Sequence, residues 1–370
     1  MRSLVIGSAM VDTIAIVESD RVERVTMSNA ETSFLLLEEG RKTEASEIST
    51  HCGGGALNVA VTQARLGLDV SALVRLGRDG RGAAVLARMA DERIDPRWVV
   101  RDATVPTGAA VHIASHERNA AIFTFRGANT LLRPEELPDA AFAVDLVVVA
   151  PLSNQSADCF PTIVAKAKTS GARVVANPGV RQLSARRGAF HDCLARIDVL
   201  SVNRSEADAM VPGLVARFGE GGPTLPLAPD EPPPALAARG LRSGGFEMSL
   251  PSFYGALLSL GVGAVMVTDG AGGAFAGADG RLVHCPALAT EIAGTAGAGD
   301  AFIATFAAYH AQGRGVEAAI RAATINAASV MGHVDTQTGL LTAAALEARL
   351  PDAAKTLPLR AWPIGAGGTP

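Results

Sequence analysis

The chain has 370 residues, 48% of them hydrophobic, with a formal charge of −4. That charge, with no basic run or basic amphipathic stretch, excludes a nucleic-acid or membrane-surface role built on a broad basic patch. No apolar run approaches the ~18 residues of a membrane span, "MRSLVIGSAMVD" is too short a leader, and Cys52, Cys159, Cys193 and Cys285 lack disulfide or zinc spacing, so a cytoplasmic protein is expected.

In chain order, "SLVIG" (3–7) is the first predicted buried strand. Residues 13–50, with "TIAIVES" and "SFLLLEEGRKTEASEIS", read as strands carrying many polar residues. A helix follows over Ala56–Leu66, with Leu57, Ala60, Val61 and Ala64 on one face and Gly67 as its stop. "VSALVRLG" (70–77) is a strand, Gly82–Ala90 a helix, and 107–126 a hairpin turning at "SHERN". Next come strand "VDLVVVA" (144–150), helix Gln155–Thr169, and strands "ARVVANPG" (172–179), "IDVLSVN" (197–203) and "VGAVMVTDG" (262–270).

This alternation predicts an α/β fold, a doubly wound, mostly parallel sheet with helices on both faces. Its body comprises residues 1–12, 51–106 and 127–350. Residues 13–50 and 107–126 alternate as one-sided strands do, which suits a small β-sheet lid or, alternatively, edge strands of the main sheet. Residues 211–250 are read as a flexible Pro/Gly-rich insertion, and 351–370, ending in "GAGGTP", as a loosely packed tail.

The run "GTAGAGDAFIATFAAYH", Gly294 to His310, carries the chemistry. A glycine-rich turn before a helix aims backbone N–H groups at an anion, and the helix dipole adds positive potential. Gly297, Ala298 and Gly299 stand where those donors belong. Asp300 would repel a phosphate, so it reads as a general base for an attacking hydroxyl, or alternatively as an N-capping acid. The chain has no GxxxxGK[ST], no HExxH and no GxSxG, and its first strand lacks GxGxxG.

Several motifs in order resemble the ribokinase-like (PfkB) carbohydrate kinase family from Val5 to about Leu341. "CGGGALNVAVTQARLGLDVSALVRLGRDGRG", Cys52 to Gly82, is similar to its N-terminal signature, and the Gly294–His310 run to its C-terminal one. "SVNRSEAD" resembles its Asn-x-x-Glu motif, and "VTDGAGGAF" its nucleotide-binding strand-turn. The resemblance implies a Rossmann-like α/β domain with a β-sheet lid. It implies Asp300 as base, the Gly297–Gly299 backbone as anion hole, and Asp12, Gly53, Gly54 and Asn58 as acceptor-binding residues. It further implies ATP at Asn203, Glu206, Thr268, Gly270, Gly273 and Asn326, with Glu206 reaching Mg²⁺ through water. Asn203 and Glu206 also fit a capping box, and Asp12, Asn58 and Asn326 have plainer readings as a loop acid, a helix-start residue and a packing residue.

The chain also departs from the family pattern. The family's potassium-binding Asp is replaced by Gly294 before Thr295, which puts K⁺ activation in doubt. Met10 and Gly55 stand where ribokinases carry Asn and Lys, and "VVVAPLSNQS" lacks a glutamate that some members have, although "RGANTLL" keeps a ribokinase-like stretch. The expected function is therefore ATP-dependent phosphorylation of a primary hydroxyl of a small sugar. The alternatives are a nucleoside kinase, for which apolar Met10 suits a base, and a non-catalytic sugar-binding module. The expected partners are a small molecule and, through exposed lid strands, a second copy in a homodimer.

Overall fold

The apolar runs become neighbouring strands of a ten-stranded sheet. Its order is Arg360–Pro363, Arg281–Cys285, Ala274–Ala278, Ala264–Thr268, Val199–Asn203, Arg173–Ala176, Leu146–Val149, Arg2–Gly7, Asp69–Gly77 and Val100–Asp102. The computed structural model describes residues 1–18, 23–26, 33–36, 40, 42–115, 120–227 and 231–364. From Ala264–Thr268 to Val100–Asp102 every pairing is parallel, and beyond Ala264–Thr268 the strands turn antiparallel.

Both faces of this sheet are covered, which is why its strands read as unbroken apolar runs. Along the first strand, Val5 enters one core with the helices Gly55–Arg65 and Ala298–Ala311. Leu4 and Ile6 enter the opposite core with Phe160, Phe190 and Phe253. The first strand lies between Leu146–Val149 and Asp69–Gly77, so the winding reverses there and opens a crevice at the strands' carboxyl ends.

A second, four-stranded mixed sheet stands over that crevice in the order Glu47–Gly53, Met10–Val17, Gly108–Ser115, Ala120–Phe125. It is separate from the main sheet, so the edge-strand alternative does not hold. The expected boundary after residue 12 falls inside Met10–Val17, because the chain leaves the large sheet at Gly7 and enters the small one after only Ser8 and Ala9. Glu23–Thr26 pairs with Ser33–Leu36 as a separate ribbon, and residues 116–119 of the "SHERN" turn lie outside the described residues.

Buried side chains pin the crossings between the sheets. Asn129 accepts from Ala9 N at 3.1 Å and donates to Ala9 O at 2.9 Å. Asp79, in the Gly-x-Asp-x-x-Gly turn, caps the helix Gly80–Asp91 through Gly82 N and accepts from Thr107 N and Oγ1, both at 2.7 Å. A turn motif thereby anchors the strand that begins at Gly108.

Three readings need correction. The helix predicted from Gln155 begins at Phe160, after a 3-10 turn over Asn154–Cys159, with a proline in its first turn where the missing N–H costs nothing. Where described, residues 211–250 are not flexible, and 228–230 lie outside the described residues. The helix Arg204–Phe218 runs through their first part, and a hairpin, Leu241–Ser243 with Phe246–Met248, closes the rest. Leu225, Leu236, Leu241 and Met248 are buried, so sparse apolar residues inside a proline-rich stretch suffice to dock it. The tail is ordered too. The helix Ala343–Thr356 passes through Pro351, and Arg360–Pro363 adds an edge strand with Trp362 buried, while residues 365–370 lie outside the described set.

Candidate active site

The strand Glu47–Gly53 delivers the chain to the helix Gly55–Arg65 through Gly54, whose φ of 96° favours glycine. A Cβ at Gly54 would stand 2.7 Å from Ser8 O, and Ala56 N donates to that same carbonyl at 3.0 Å. A Cβ at Gly53 would overlap Asp12 Oδ2. The missing side chains therefore let three segments converge at the crevice.

Asn58, in the first turns of that helix, is 3% exposed. Its Nδ2 donates to Asp300 Oδ2 at 2.8 Å. Its Oδ1 accepts from Thr336 Oγ1 at 2.9 Å and Gln337 Nε2 at 3.0 Å. Thr336 and Gln337 escaped the sequence reading. The run "HVDTQTGLL" is polar, but nothing local ties it to a residue nearly 280 positions earlier.

Asp300 lies in the first turn of the helix Ala298–Ala311, which starts after Gly297 at φ 79°. It is not the capping residue, since Gly297 holds that position and the carboxylate is bonded to Asn58 instead. A Cβ at Gly297 would meet Thr336 Cβ at 2.7 Å, whereas one at Gly299 would find nothing within 4 Å. Burial pushes the Asp300 pKa up to about 6; the Asn58 bond opposes the shift and the charge of Asp12 adds to it.

Asp12 sits mid-strand in the lid sheet, 8% exposed, so it is not a loop acid. Strand register sets it opposite His51, and His112 Nε2 lies 4.0 Å from its Oδ1. That Oδ1 is buried with no hydrogen-bond partner among the described residues. Burial raises its pKa, and the nearby imidazoles pull it back. The two histidines were invisible beforehand because cross-strand neighbours appear only once register is known.

At the neighbouring strand ends, Asn203 accepts from Glu206 N and Glu206 Oε2 accepts from Asn203 N, both at 2.9 Å. The capping box is thus real, yet Glu206 is 8% exposed and burial lifts its pKa to about 7, with the charge of Asp300 adding to the shift. Thr268 pairs with Asn203, and the turn Gly270–Gly272 follows, closed by Gly273, whose Cβ would run into Cys285 O. Asn326 does not join this group. It is fully buried, donating to Thr305 Oγ1 at 2.8 Å and accepting from Leu341 N at 3.0 Å, so its amide is spent inside the protein.

Among the described residues no cluster of His, Cys, Asp or Glu is of a kind to hold a metal directly. At Gly294 an added Cβ would stand 3.0 Å from His333 O and 3.2 Å from Val334 O, with no carboxylate of its own to offer a cation.

The sequence model of pfkB family carbohydrate kinases matches residues 2–214 and 253–343. The chain belongs to this family. Membership carries the family's general activity, ATP-dependent phosphorylation of a sugar or nucleoside. The unmatched residues between the two segments coincide with the docked hairpin region. Deoxyribokinase of Salmonella typhimurium is 27% identical over 322 residues, covering 86% of this chain and 92% of that protein. The structure of Arabidopsis thaliana ribokinase with ribose and ATP superposes with a TM-score of 0.70 at 19% identity, over 94% of this chain and 98% of that one. Burkholderia thailandensis nucleoside kinase with inosine gives 0.67 at 19%, over 96% and 100%. These structural likenesses show the fold, a doubly wound sheet with a smaller mixed sheet. Among the described residues no helix is long and apolar enough to cross a membrane.

Proposed function

We propose that the chain phosphorylates a primary hydroxyl of a small sugar with ATP, using Asp300 as general base and the Gly297–Gly299 backbone as anion hole. The observation that carries this reading is the Asp300 carboxylate. It is held by Asn58 at the start of a helix and shares one crevice with Asp12, whose Oδ1 lacks a partner.

Asp12 holds acceptor hydroxyls, since a carboxylate can accept two hydrogen bonds from a diol. Gly53 and Gly54 let the backbone come close to the acceptor. Asp300 takes the proton as the hydroxyl attacks the terminal phosphorus in line, the bond from that phosphorus to the bridging oxygen breaks and ADP leaves, and the amide N–H groups of Gly297, Ala298 and Gly299 meet the charge on the transferred group. Asn203, Glu206, Thr268, Gly270 and Gly273 line the nucleotide side. Glu206 would hold magnesium through water, and the ion would supply neutralisation of phosphate charge.

The deoxyribokinase relative, matched over most of its length, favours a sugar over a nucleoside. A panel of free pentoses, hexoses, adenosine and inosine, coupled to ADP release with and without potassium, tests the reading. Turnover of pentose without nucleoside supports it, exclusive use of a nucleoside replaces the acceptor, and sugar binding without ADP release rejects catalysis.

The lid supplies a partner surface. Ile48, Val111, Phe123 and Phe125 are 43–68% exposed, and register sets them on one face of the small sheet, Val111 directly opposite Phe123. A second copy of the chain covers this face in a homodimer, which sedimentation of wild type against Phe123→Glu tests: a monomer in both cases removes the dimer. All four cysteines are free, in keeping with a cytoplasmic setting.

A further inference from the structure

A cavity of about 460 Å³ opens between the turn after the strand Leu146–Val149 and the short helix Val180–Ala185. Ser153 and Asn154 stand on one wall, Arg181 and Gln182 on the other. Gln182 is 2% exposed, and its Nε2 has no hydrogen-bond partner among the described residues. Asp158 is the acid of this lining, and Arg186 already takes it at 2.6 Å. Arg181 has no carboxylate partner among the described residues, so the walls offer donors and a positive charge with no free acceptor of matching charge.

A second cation approaches from the lid. Arg126 follows the strand Ala120–Phe125, and the turn after it, Gly127–Thr130, is tied to the segment that forms one wall: Ser156, between the lining residues Gln155 and Ala157, donates from its Oγ to Asn129 O at 2.8 Å. Arg126 likewise has no acidic partner among the described residues. Its pKa is lowered by burial and by repulsion from Arg181.

Leu152 of the cavity lining follows Pro151, a neighbour of the Asp300 carboxylate. A Cβ at Gly55 would stand 3.4 Å from Pro151 Cδ and 3.5 Å from Asp300 Oδ1. Gly179, which leads into the helix bearing Arg181, packs on the same proline, its own Cβ position 3.4 Å from Pro151 Cβ. The stretch after this strand, Pro151 to Ser156, carries no acid, so no carboxylate there opposes an anion.

From these placements we infer that the cavity beyond Pro151 binds an anionic group of the acceptor, a carboxylate or phosphate, clasped by Arg181, Gln182 and Arg126. The inference rests on the kinase reading for its setting and narrows the acceptor to acidic sugars or sugar phosphates that keep a free primary hydroxyl. Arg181 offers a planar fork matched to such oxyanions, and the unpaired Gln182 amide gains the acceptor it lacks.

Matched pairs of probes test it: D-gluconate against D-glucitol, and D-fructose 6-phosphate against D-fructose. Each is measured by calorimetric binding without nucleotide and by ADP release with it. At least one charged member should bind, and turn over in kcat/KM, about tenfold or more better than its neutral partner. Arg181→Gln and Arg126→Gln should each erase that preference while leaving the KM for ATP and the weak use of the neutral partner unchanged. Equal binding of charged and neutral members by the wild type overturns the inference, as does an Arg181→Gln effect confined to the KM for ATP. The two readings fail separately. Charge-selective binding without ADP release would leave the anion subsite standing and remove the kinase, and turnover of neutral sugars without preference would do the reverse.

Discussion

The two glycine runs of the crevice differ in what fills the space their missing side chains leave. At Gly53 and Gly54 the protein itself fills it, with the Asp12 carboxylate against one and the Ser8 carbonyl against the other. At Gly299 an added Cβ would meet nothing beyond its own helix within 4 Å, although Gly297, two residues earlier, is pressed against Thr336. Glycine in the first run assembles the side chains of the site. In the second, Gly297 fixes the turn and Gly299 leaves open space, which the proposed function fills with the transferred group.

Asp300, where the two runs meet, gives the largest expected effect. Asp300→Asn should lower kcat by about 10²–10⁴-fold with ATP affinity nearly unchanged, measured by steady-state kinetics and nucleotide titration. Near-normal turnover in that variant would discard the base. Next, Gly53→Ala should displace the Asp12 carboxylate and cut kcat/KM for the acceptor about a hundredfold, leaving the KM for ATP alone. An equal loss on both substrates would mean that this run does not serve the acceptor side.

Gly299→Ala sharpens the contrast from the other direction. With open space around it, the new methyl should leave the fold as stable as before or firmer, since alanine suits a helix better by roughly 0.5–1 kcal/mol. Turnover should still fall about tenfold because the methyl intrudes where the transferred group sits. A variant that loses stability instead would show that the space is structural. Gln337→Leu takes one of the two donors from the Asn58 Oδ1 and should cost about fivefold in kcat, with KM values steady.

Acidity provides the smallest and most diagnostic shifts. Since Asp300 must be ionised to take a proton and its pKa is raised to about 6, kcat should fall as pH drops through about 6. Stability runs the opposite way. The raised pKa favours the folded state fully below the ordinary value of 3.8, and that advantage is lost as pH rises through about 6. Asp300→Asn should therefore melt about two degrees above wild type at pH 7.5 and no higher at pH 4. A gap of the same size at both pH values would remove burial of the charge as its cause.

The sequence made the large sheet legible because strands covered on both faces must be continuously apolar, as Leu146–Val149 and Ala264–Thr268 are. The small sheet was legible from its alternation, though not its starting point, since nothing local marks Met10 as the first residue of a lid strand. The candidate site was readable where it is local, as in the loop before Asp300. It was hidden where it depends on register or distance: His51 and His112 beside Asp12, and Thr336 and Gln337 behind Asn58. Asn326 misled for the converse reason, because a polar residue on a small-residue helix looks the same in sequence whether it meets a ligand or ties Thr305 to Leu341. The strand Arg360–Pro363, four residues ending in a proline, was too short to announce itself, yet its partner Arg281–Cys285 supplied the pairing edge it needed.

The wiring of the Asn58 amide has one more effect. With two donors engaging its oxygen, the amide cannot flip, so its nitrogen always faces Asp300 Oδ2. That bond takes one of the two lone-pair sites of Oδ2, whereas Oδ1, the oxygen near Gly55, is left wholly free by Asn58. Under the proposed chemistry the hydrogen leaving the alcohol finds Oδ1 the more open of the two oxygens, a bias imposed by a contact with residues at the far end of the chain rather than by the base itself.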